Sequence, residues 1–121
     1  MTARPFVKWV GGKRKLIPEI MKRVPAEYGT YHEPFIGGGA LFFHLRPPRA
    51  VISDANLRLV RTYRGVRDSV DDVIALLRSC PNEKDFFLAK RAEPIDANPS
   101  DAAVAAWFIY LNKTSSTGSI A

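Results

Sequence analysis

The stretch YHEPFIGGGALFF, residues 31–43, decides how this chain is interpreted. A short extended segment ends at Glu33, and three consecutive glycines, Gly37, Gly38 and Gly39, separate it from a run of helix formers. Glycine loses much backbone entropy on folding and is kept where a chain needs a positive φ or a very close approach. The stretch therefore predicts a strand, a bare turn and a helix. The turn is either merely tight or has something lying against its backbone.

Hydrophobic periodicity and turn residues place the other elements around this stretch. The predicted strands are Thr30–Phe35 and Ala50–Ser53, and the predicted helices are Leu16–Val24, Ala40–Leu45, Asn56–Val66, a helix opened by Ser69, Asn82–Arg91 and Asp101–Leu111. A strand–helix–strand order predicts a parallel α/β sheet. Because a parallel pair normally belongs to a larger covered sheet, the chain is expected to be the front part of an α/β domain.

Composition narrows the class of protein. With 121 residues, 46% hydrophobic and 25% charged, the chain is expected to form one globular domain at most. Neither a membrane-length apolar run nor a secretory signal is visible. The single cysteine, Cys80, excludes an internal disulfide and a multi-cysteine metal site. The sequence therefore predicts a cytoplasmic protein with no metal centre and no membrane partner.

The charge is unevenly distributed along the chain. Residues 1–67 hold 13 lysines and arginines against 4 acidic residues, a net +9, whereas residues 68–121 hold 5 against 8, a net −3. A basic half indicates either a polyanionic partner or simply a solvated basic face.

An acidic residue after the second predicted strand gives the glycines a second interpretation. Asp54 follows Gly37 by 17 residues, close to the ~20 that separate the glycines from the ribose-binding acid of dinucleotide folds. The glycine pattern itself departs from G-x-G-x-x-G, since Phe42 stands at its last position, and Gly12-Lys13 precedes arginine rather than the Ser or Thr of a P-loop. Asp54 thus predicts a nucleotide site, with the N-cap of the next helix as the alternative.

Four stretches together resemble one family. FVKWVGGKRKL, EPFIGGGALFF and ISDANLRLV resemble three motifs of the DNA adenine-N6 methylases of the Dam type, in that family's order and spacing, and AAWFIYLNKT resembles the stretch that leads into its target-recognition region. The resemblance implies the N-terminal part of a Rossmann-like S-adenosylmethionine-dependent methyltransferase fold over residues 1–114. It implies S-adenosylmethionine as cofactor and adenine in duplex DNA as substrate.

The resemblance also assigns cofactor-binding residues on the strand and the glycine turn. Gly37, Gly38 and Gly39 would form the turn over which the methionine and ribose parts of the cofactor lie. Asp54 would accept hydrogen bonds from both ribose hydroxyls, since one carboxylate can bind two donors. Glu33 would face the cofactor's amino group, with a solvated strand end as the alternative. Phe35 would present its ring to the cofactor or pack in the core.

Further cofactor-binding residues are implied near the N-terminus. Trp9, Gly11, Gly12 and Lys13 match the family's first motif, in which Trp and Lys reach the carboxylate end of the cofactor. A lysine ammonium is a point charge suited to a carboxylate. Without the resemblance, Trp9 would be interpreted as a core aromatic and Lys13 as an exposed lysine. Asn56 belongs to the same motif as Asp54 and is expected to orient that turn.

The family's catalytic motif is missing from these residues. No Asp-Pro-Pro-Tyr run occurs, so no residue is assigned to hold the amino group of a flipped adenine or to stack on its base. The chain is therefore expected to be a truncated methylase, inactive alone, whose apolar helix Ala102–Leu111 lacks its usual cover. Residues 115–121 depart from the family's Cys-Phe-Asn-Gly-Leu-Tyr-Arg continuation, and one DNA string can encode both tails in two frames. The hypothesis is a frameshift near codon 115; the alternative is a genuine short protein with a disordered tail.

Two other functions compete with a methylase. The basic first half fits a non-catalytic nucleic-acid-binding fragment or partner subunit. The glycine turn with Asp54 also fits a nucleotide-binding α/β protein that is no methylase. Preference for S-adenosylmethionine over NAD or ATP separates the methylase from the latter.

Overall fold

A computed structural model describes residues 3–9 and 11–115 of the chain. These residues divide into two compact units, and the boundary in the sequence lies between Ala55 and Asn56. The first unit holds helix α1 (Ile17–Met21), strand β1 (Tyr31–Glu33), helix α2 (Ala40–Leu45) and strand β2 (Ala50–Ile52). The second unit holds helices α3 (Leu57–Arg78), α4 (Lys84–Arg91) and α5 (Asp101–Thr114). Single 3₁₀ turns, Arg14–Leu16 and Ile95–Ala97, precede α1 and α5.

The first unit is built on a parallel pair of strands. Tyr31 pairs with Ala50, and Glu33 pairs with Ile52. The ladder continues beyond both strand ends, because Ser53 N–H donates to the Glu33 carbonyl at 2.8 Å and Ile36 N–H donates to the Ser53 carbonyl at 3.0 Å. This continuation carries the chain after β1 and the chain after β2 side by side, and it places the glycine turn next to the segment that contains Asp54.

The predicted strand–helix–strand order is confirmed, and so is the parallel direction. Helix α2 has the predicted bounds, whereas both strands and α1 are shorter than predicted. Val51 on β2 is 54% exposed, unlike a residue of a parallel sheet covered on both faces. The described residues thus form the predicted small parallel sheet with several helices, compatible with part of a Rossmann-like fold.

The second unit is a helical cluster around α5. Helix α3 is capped by Asn56, whose side chain accepts a hydrogen bond from the Leu59 N–H at 3.2 Å. Its dihedral angles break at Ser69, with φ −145° and ψ 43°, so two helical segments meet there without an intervening loop. The predicted opening of a helix at Ser69 agrees with this kink.

Helix α5 packs closely on α3. A Cβ atom on Gly65 would lie 2.5 Å from the Asp101 carbonyl oxygen and 2.8 Å from the Ala105 Cβ. Glycine in mid-helix therefore serves the close approach of two helices at this point. Arg61 reinforces the contact: its Nε donates to Asp101 Oδ1, and its Nη2 donates to the Asn98 carbonyl, both at 2.7 Å.

The expectation that helix Ala102–Leu111 lacks cover is wrong. Trp107, Phe108 and Leu111 are each at most 3% exposed, and most of α5 is buried with them. The core that encloses its alanine face consists of residues from both long helices: Val66, Val73, Leu77, Ala102, Ala105, Ala106 and Ile109. The prediction failed because it assigned this cover to segments outside the chain, whereas α3 supplies it.

The described residues contain no helix that combines the length and the apolarity needed to cross a membrane. The tail hypothesis concerns residues 115–121, of which 116–121 lie outside the described residues.

Candidate functional site

The glycine turn begins directly after β1 and has the conformation that the sequence predicts. Gly37 has φ +50° and Gly39 has φ +77°, both in the left-handed region that favours glycine. Gly39 N–H donates to the Ile36 carbonyl at 2.8 Å, which closes the turn, and α2 starts immediately after it. The turn exists because two of its residues adopt backbone angles that side chains disfavour.

A side chain of this chain lies against the glycines. A Cβ on Gly37 would lie 2.9 Å from Trp9 Cδ1, and one on Gly38 would lie 3.0 Å from the Val7 carbonyl oxygen and 3.3 Å from Trp9 Cβ. Trp9 is partly buried in this position. The missing side chains of the glycines therefore leave room for Trp9. Its packing joins the motif before α1 to the turn after β1.

The structure joins Asp54 to the same turn. Gly37 N–H donates a hydrogen bond to Asp54 Oδ2 at 3.1 Å. The N-cap alternative for Asp54 is wrong, because Asn56 caps α3. The expectation that Asn56 also orients the turn stays a prediction. Asp54 is half-buried, and its carboxylate faces the turn at the carboxyl ends of the parallel strands, where α/β sheets bind ligands.

Lys13 and Glu33 form an ion pair at the end of β1. Lys13 Nζ lies 2.8 Å from Glu33 Oε1 and also donates to the Phe35 carbonyl at 3.2 Å. The Glu33 side chain is only 11% exposed and the Lys13 side chain 36%. The interpretation of Glu33 as a solvated strand end is therefore wrong. Lys13 is likewise not a free surface lysine, because it anchors the loop before α1 to β1.

Of the remaining predicted residues, Gly11 and Gly12 lie in a turn and Phe35 lies at the surface. Gly12 N–H donates to the Trp9 carbonyl at 3.2 Å. Gly11 has φ +76°, and apart from its chain neighbours no described residue lies within 4 Å of where its Cβ would be. Phe35 is 72% exposed, so its interpretation as a core residue is wrong and its ring faces solvent. An exposed aromatic ring beside a glycine turn is available to a ligand.

Sequence reasoning missed one participant, Tyr31. Its hydroxyl donates to Glu33 Oε1 at 3.2 Å. The signal was present in the strand, where residues i and i+2 share a face, so Tyr31 and Glu33 had to lie on the same side of β1. Within the described residues, no three His, Cys, Asp or Glu side chains are grouped to hold a metal ion.

Comparison with known proteins identifies relatives of this sequence. A family model described as D12 class N6 adenine-specific DNA methyltransferase matches residues 9–121. The match includes the Trp9 to Lys13 motif, the glycine turn and Asp54.

Curated proteins are similar over almost the whole chain. A type II methyltransferase, M1.LlaDCHI of Lactococcus lactis subsp. cremoris, is 41% identical over 95% of this chain and 42% of its own length. The type II methyltransferase M.MjaIII of Methanocaldococcus jannaschii is 34% identical over 98% of the chain and 48% of its own length. A DNA adenine methylase of Haemophilus influenzae is 33% identical over 91% and 40%. The chain thus spans less than half the length of these relatives.

Proposed function

We propose a function for this chain from the premise that it belongs to the family of D12 class N6 adenine-specific DNA methyltransferases. The described residues form the cofactor-binding part of an enzyme that transfers a methyl group from S-adenosylmethionine to the N6 atom of adenine in duplex DNA. Residues 1–114 are the partial methyltransferase domain, which leads into the target-recognition region.

One observation carries the proposal: the hydrogen bond from the Gly37 amide to Asp54 Oδ2 at 3.1 Å. It brings the acid that follows β2 onto the glycine turn that follows β1. A carboxylate has two oxygens and about four acceptor sites, so Asp54 can bind Gly37 and still accept from ribose hydroxyls. This is the layout of a nucleoside site at the carboxyl edge of a parallel sheet.

The charged groups near the turn fit the other end of S-adenosylmethionine, which carries an α-ammonium and an α-carboxylate. Lys13 offers a cation and Glu33 an anion, 2.8 Å apart. We assign Lys13 to the carboxylate and Glu33 to the ammonium. The exposed Phe35 ring covers one side of the cofactor, and Gly38 and Gly39 complete the turn beside it.

The motif before α1 supports this site through Trp9, Gly11 and Gly12. Trp9 contacts the bare backbone of the glycine turn, and the Gly11–Gly12 turn directs Lys13 towards Glu33. When bound, S-adenosylmethionine supplies an electrophilic methyl group. The residues of this chain bind and orient the cofactor, and they leave the orientation of the adenine to groups that these 121 residues do not contain.

The acceptor side of the reaction has no residues here. An adenine amino group must be held by hydrogen-bond acceptors while the base is stacked outside the duplex. The family's Asp-Pro-Pro-Tyr motif does this, and these 121 residues contain no such run. We therefore propose that the chain alone binds the cofactor without transferring its methyl group.

Calorimetric titration tests the proposal. The purified chain is titrated with S-adenosylmethionine, NAD and ATP in parallel. Saturable binding of S-adenosylmethionine with no comparable heat from the other two supports a methyltransferase site. Equal or tighter binding of NAD or ATP contradicts it and favours another nucleotide-binding protein.

The basic first half favours a second, compatible activity. Arg14, Lys15, Arg46 and Arg49 are all exposed in the first unit, whose sequence carries most of the net +9 of residues 1–67. Such a surface attracts the phosphates of DNA without reading its sequence. We propose weak non-specific DNA binding, which would also be the activity of a non-catalytic partner subunit.

A further inference from the structure

Two donors converge on a single oxygen atom of Glu33. Lys13 Nζ lies 2.8 Å from Glu33 Oε1, and the Tyr31 hydroxyl lies 3.2 Å from the same atom. Tyr31 and Glu33 are fixed relative to each other because both belong to β1, whose ladder to β2 sets their backbone. The Tyr31 ring is held by Phe42 of α2, with ring centroids 6.2 Å apart. The phenol is thus anchored at its ring and directed at one carboxylate oxygen.

This convergence leaves two polar groups available at the site. No donor among residues 3–9 and 11–115 contacts Glu33 Oε2. An ammonium has three N–H donors, and within the same ranges Lys13 uses two of them, on Glu33 Oε1 and on the Phe35 carbonyl. One acceptor and one donor therefore remain side by side, a pairing complementary to an α-amino acid zwitterion.

The Tyr31 hydroxyl is protonated and can donate its hydrogen bond to Glu33 at physiological pH. Burial raises the pKa of the Tyr31 phenol well above its ordinary value, and the neighbouring Glu33 carboxylate raises it further. The hydroxyl therefore keeps its proton through the physiological range. An ionised carboxylate only accepts hydrogen bonds, so the direction of this bond is also fixed.

We propose that Tyr31 is a positioning residue for the cofactor site: its hydroxyl holds Glu33 Oε1, which orients the carboxylate so that Lys13 and Glu33 Oε2 together receive the amino-acid end of S-adenosylmethionine. This inference rests on the proposed function for its ligand, but the positioning itself is a property of the free chain. Tyr31 touches Glu33 and acts through it.

The first test observes Lys13 in the free chain. The ¹⁵N resonance of the Lys13 side-chain ammonium, assigned with Lys13→Arg, is compared in the wild type, Tyr31→Phe and Tyr110→Phe. Tyr110 is the matched control, because its hydroxyl also donates a partly buried hydrogen bond, to the Pro81 carbonyl at 2.9 Å in the second unit. We expect a slowly exchanging ammonium in the wild type and the control, and a broadened signal in Tyr31→Phe. Equal signals in all three, or a wild-type Lys13 that behaves like an exposed lysine, overturn the proposal.

Tyr31→Phe keeps the ring that packs on Phe42, but a folding defect would obscure the comparison. The wild type therefore provides a measurement that needs no variant. Nuclear Overhauser contacts between the Lys13 side chain and the Tyr31 ring are expected from two groups bound to one oxygen atom, and their absence overturns the proposal.

The second test measures coupling to the cofactor. Tyr31→Phe should weaken S-adenosylmethionine binding about five- to tenfold, the scale of one net hydrogen bond. The same change in a Lys13→Met background should have almost no effect, because residues that act as a unit are not additive. An equal loss in both backgrounds would indicate a merely structural tyrosine and overturn the positioning role. A wild type that binds no S-adenosylmethionine but keeps the anchored Lys13 signal contradicts the proposed function, not the position of Tyr31.

Discussion

The Gly37 amide and the Asp54 carboxylate, 17 residues apart in the chain, meet in a 3.1 Å hydrogen bond at the carboxyl edge of the sheet. The bond joins the turn after β1 to the segment after β2, so the conformation of the turn and the position of the acid depend on each other. A substitution of Asp54 therefore has two separable consequences, one for the turn and one for a bound cofactor.

Replacing Asp54 tests both consequences. Asp54→Ala removes the acceptor for Gly37 and for the ribose, and we expect it to weaken S-adenosylmethionine binding by roughly 1–3 kcal/mol, the range for hydrogen bonds to a charged group. Asp54→Asn retains one acceptor for the Gly37 amide and should lose less. Asp71→Ala, at an exposed position on α3, is the matched control. Unchanged affinity of Asp54→Ala in calorimetry would exclude the ribose role.

Gly37→Ala tests why the turn is bare. The new Cβ would lie 2.9 Å from Trp9 Cδ1 at a residue with φ +50°. The left-handed conformation alone costs about 1–2 kcal/mol for a non-glycine residue, and the close approach to Trp9 adds to it. We expect lower stability in urea unfolding even without cofactor. Gly29→Ala should be close to neutral, because apart from the chain neighbours no described residue lies within 4 Å of the new Cβ. Equal stabilities of the two variants would contradict the packing of Trp9.

Gly65→Ala tests how closely α3 and α5 approach each other, because the substitution either raises or lowers the stability of the fold. In an exposed helix interior this change stabilises by about 0.8–1.0 kcal/mol, because alanine is the better helix former. Here the Cβ would lie 2.5 Å from the Asp101 carbonyl oxygen. Overpacking of a close contact typically costs about 1–3 kcal/mol, so we expect a net loss of stability. A gain in the urea midpoint would mean that the helices do not approach this closely.

Helices α2 and α3 show which parts of the fold the sequence could predict. Local signals were sufficient for α2, because Gly39 precedes it and Pro47-Pro48 follow it, and the predicted bounds agree with the structure. The kink at Ser69 was likewise visible as a capping signal. Continuation of α3 through that kink was not predictable, because it depends on packing against α5, which lies far away in sequence.

In the candidate site, too, some features were predictable from the sequence and others were not. Motif order pointed to Lys13, Glu33 and Asp54, and the structure places Lys13 against Glu33 and Asp54 against the glycine turn. The bond between Lys13 and Glu33 was not foreseen, since each residue was interpreted either as a partner of a ligand or as a solvated residue, and not as a partner of the other. Tyr31 was missed because its importance depends on which oxygen of Glu33 it contacts, and that follows from three-dimensional geometry alone.

The basic half of the chain should give salt-dependent binding to duplex DNA. Each cation that no longer neutralises a phosphate should make the slope of log affinity against log salt shallower by about 0.9. We expect the double variant Arg14→Gln, Lys15→Gln to lower both the affinity and the steepness of this slope in fluorescence anisotropy. The matched control, Arg78→Gln with Lys84→Gln, removes the same charge from exposed positions in the acidic half and should change little. Affinity that is independent of salt, or equal losses of affinity in both double variants, would contradict a basic DNA-binding face.

The last prediction is that the 121-residue chain does not methylate DNA. A methylase must hold its cofactor, extrude the target base and align the amino group with the methyl carbon. We propose Lys13, Glu33 and Asp54 for the first task, whereas the sequence has no Asp-Pro-Pro-Tyr run for the third.

The assay incubates the purified chain with labelled S-adenosylmethionine and unmethylated duplex DNA, with a full-length family member as positive control. We expect label in DNA only with the full-length enzyme, while calorimetry detects cofactor binding by the chain. Transfer to adenine above the level without protein would contradict the prediction, because it would require acceptor-orienting groups within these 121 residues. Failure of both transfer and cofactor binding would instead count against the proposed cofactor site.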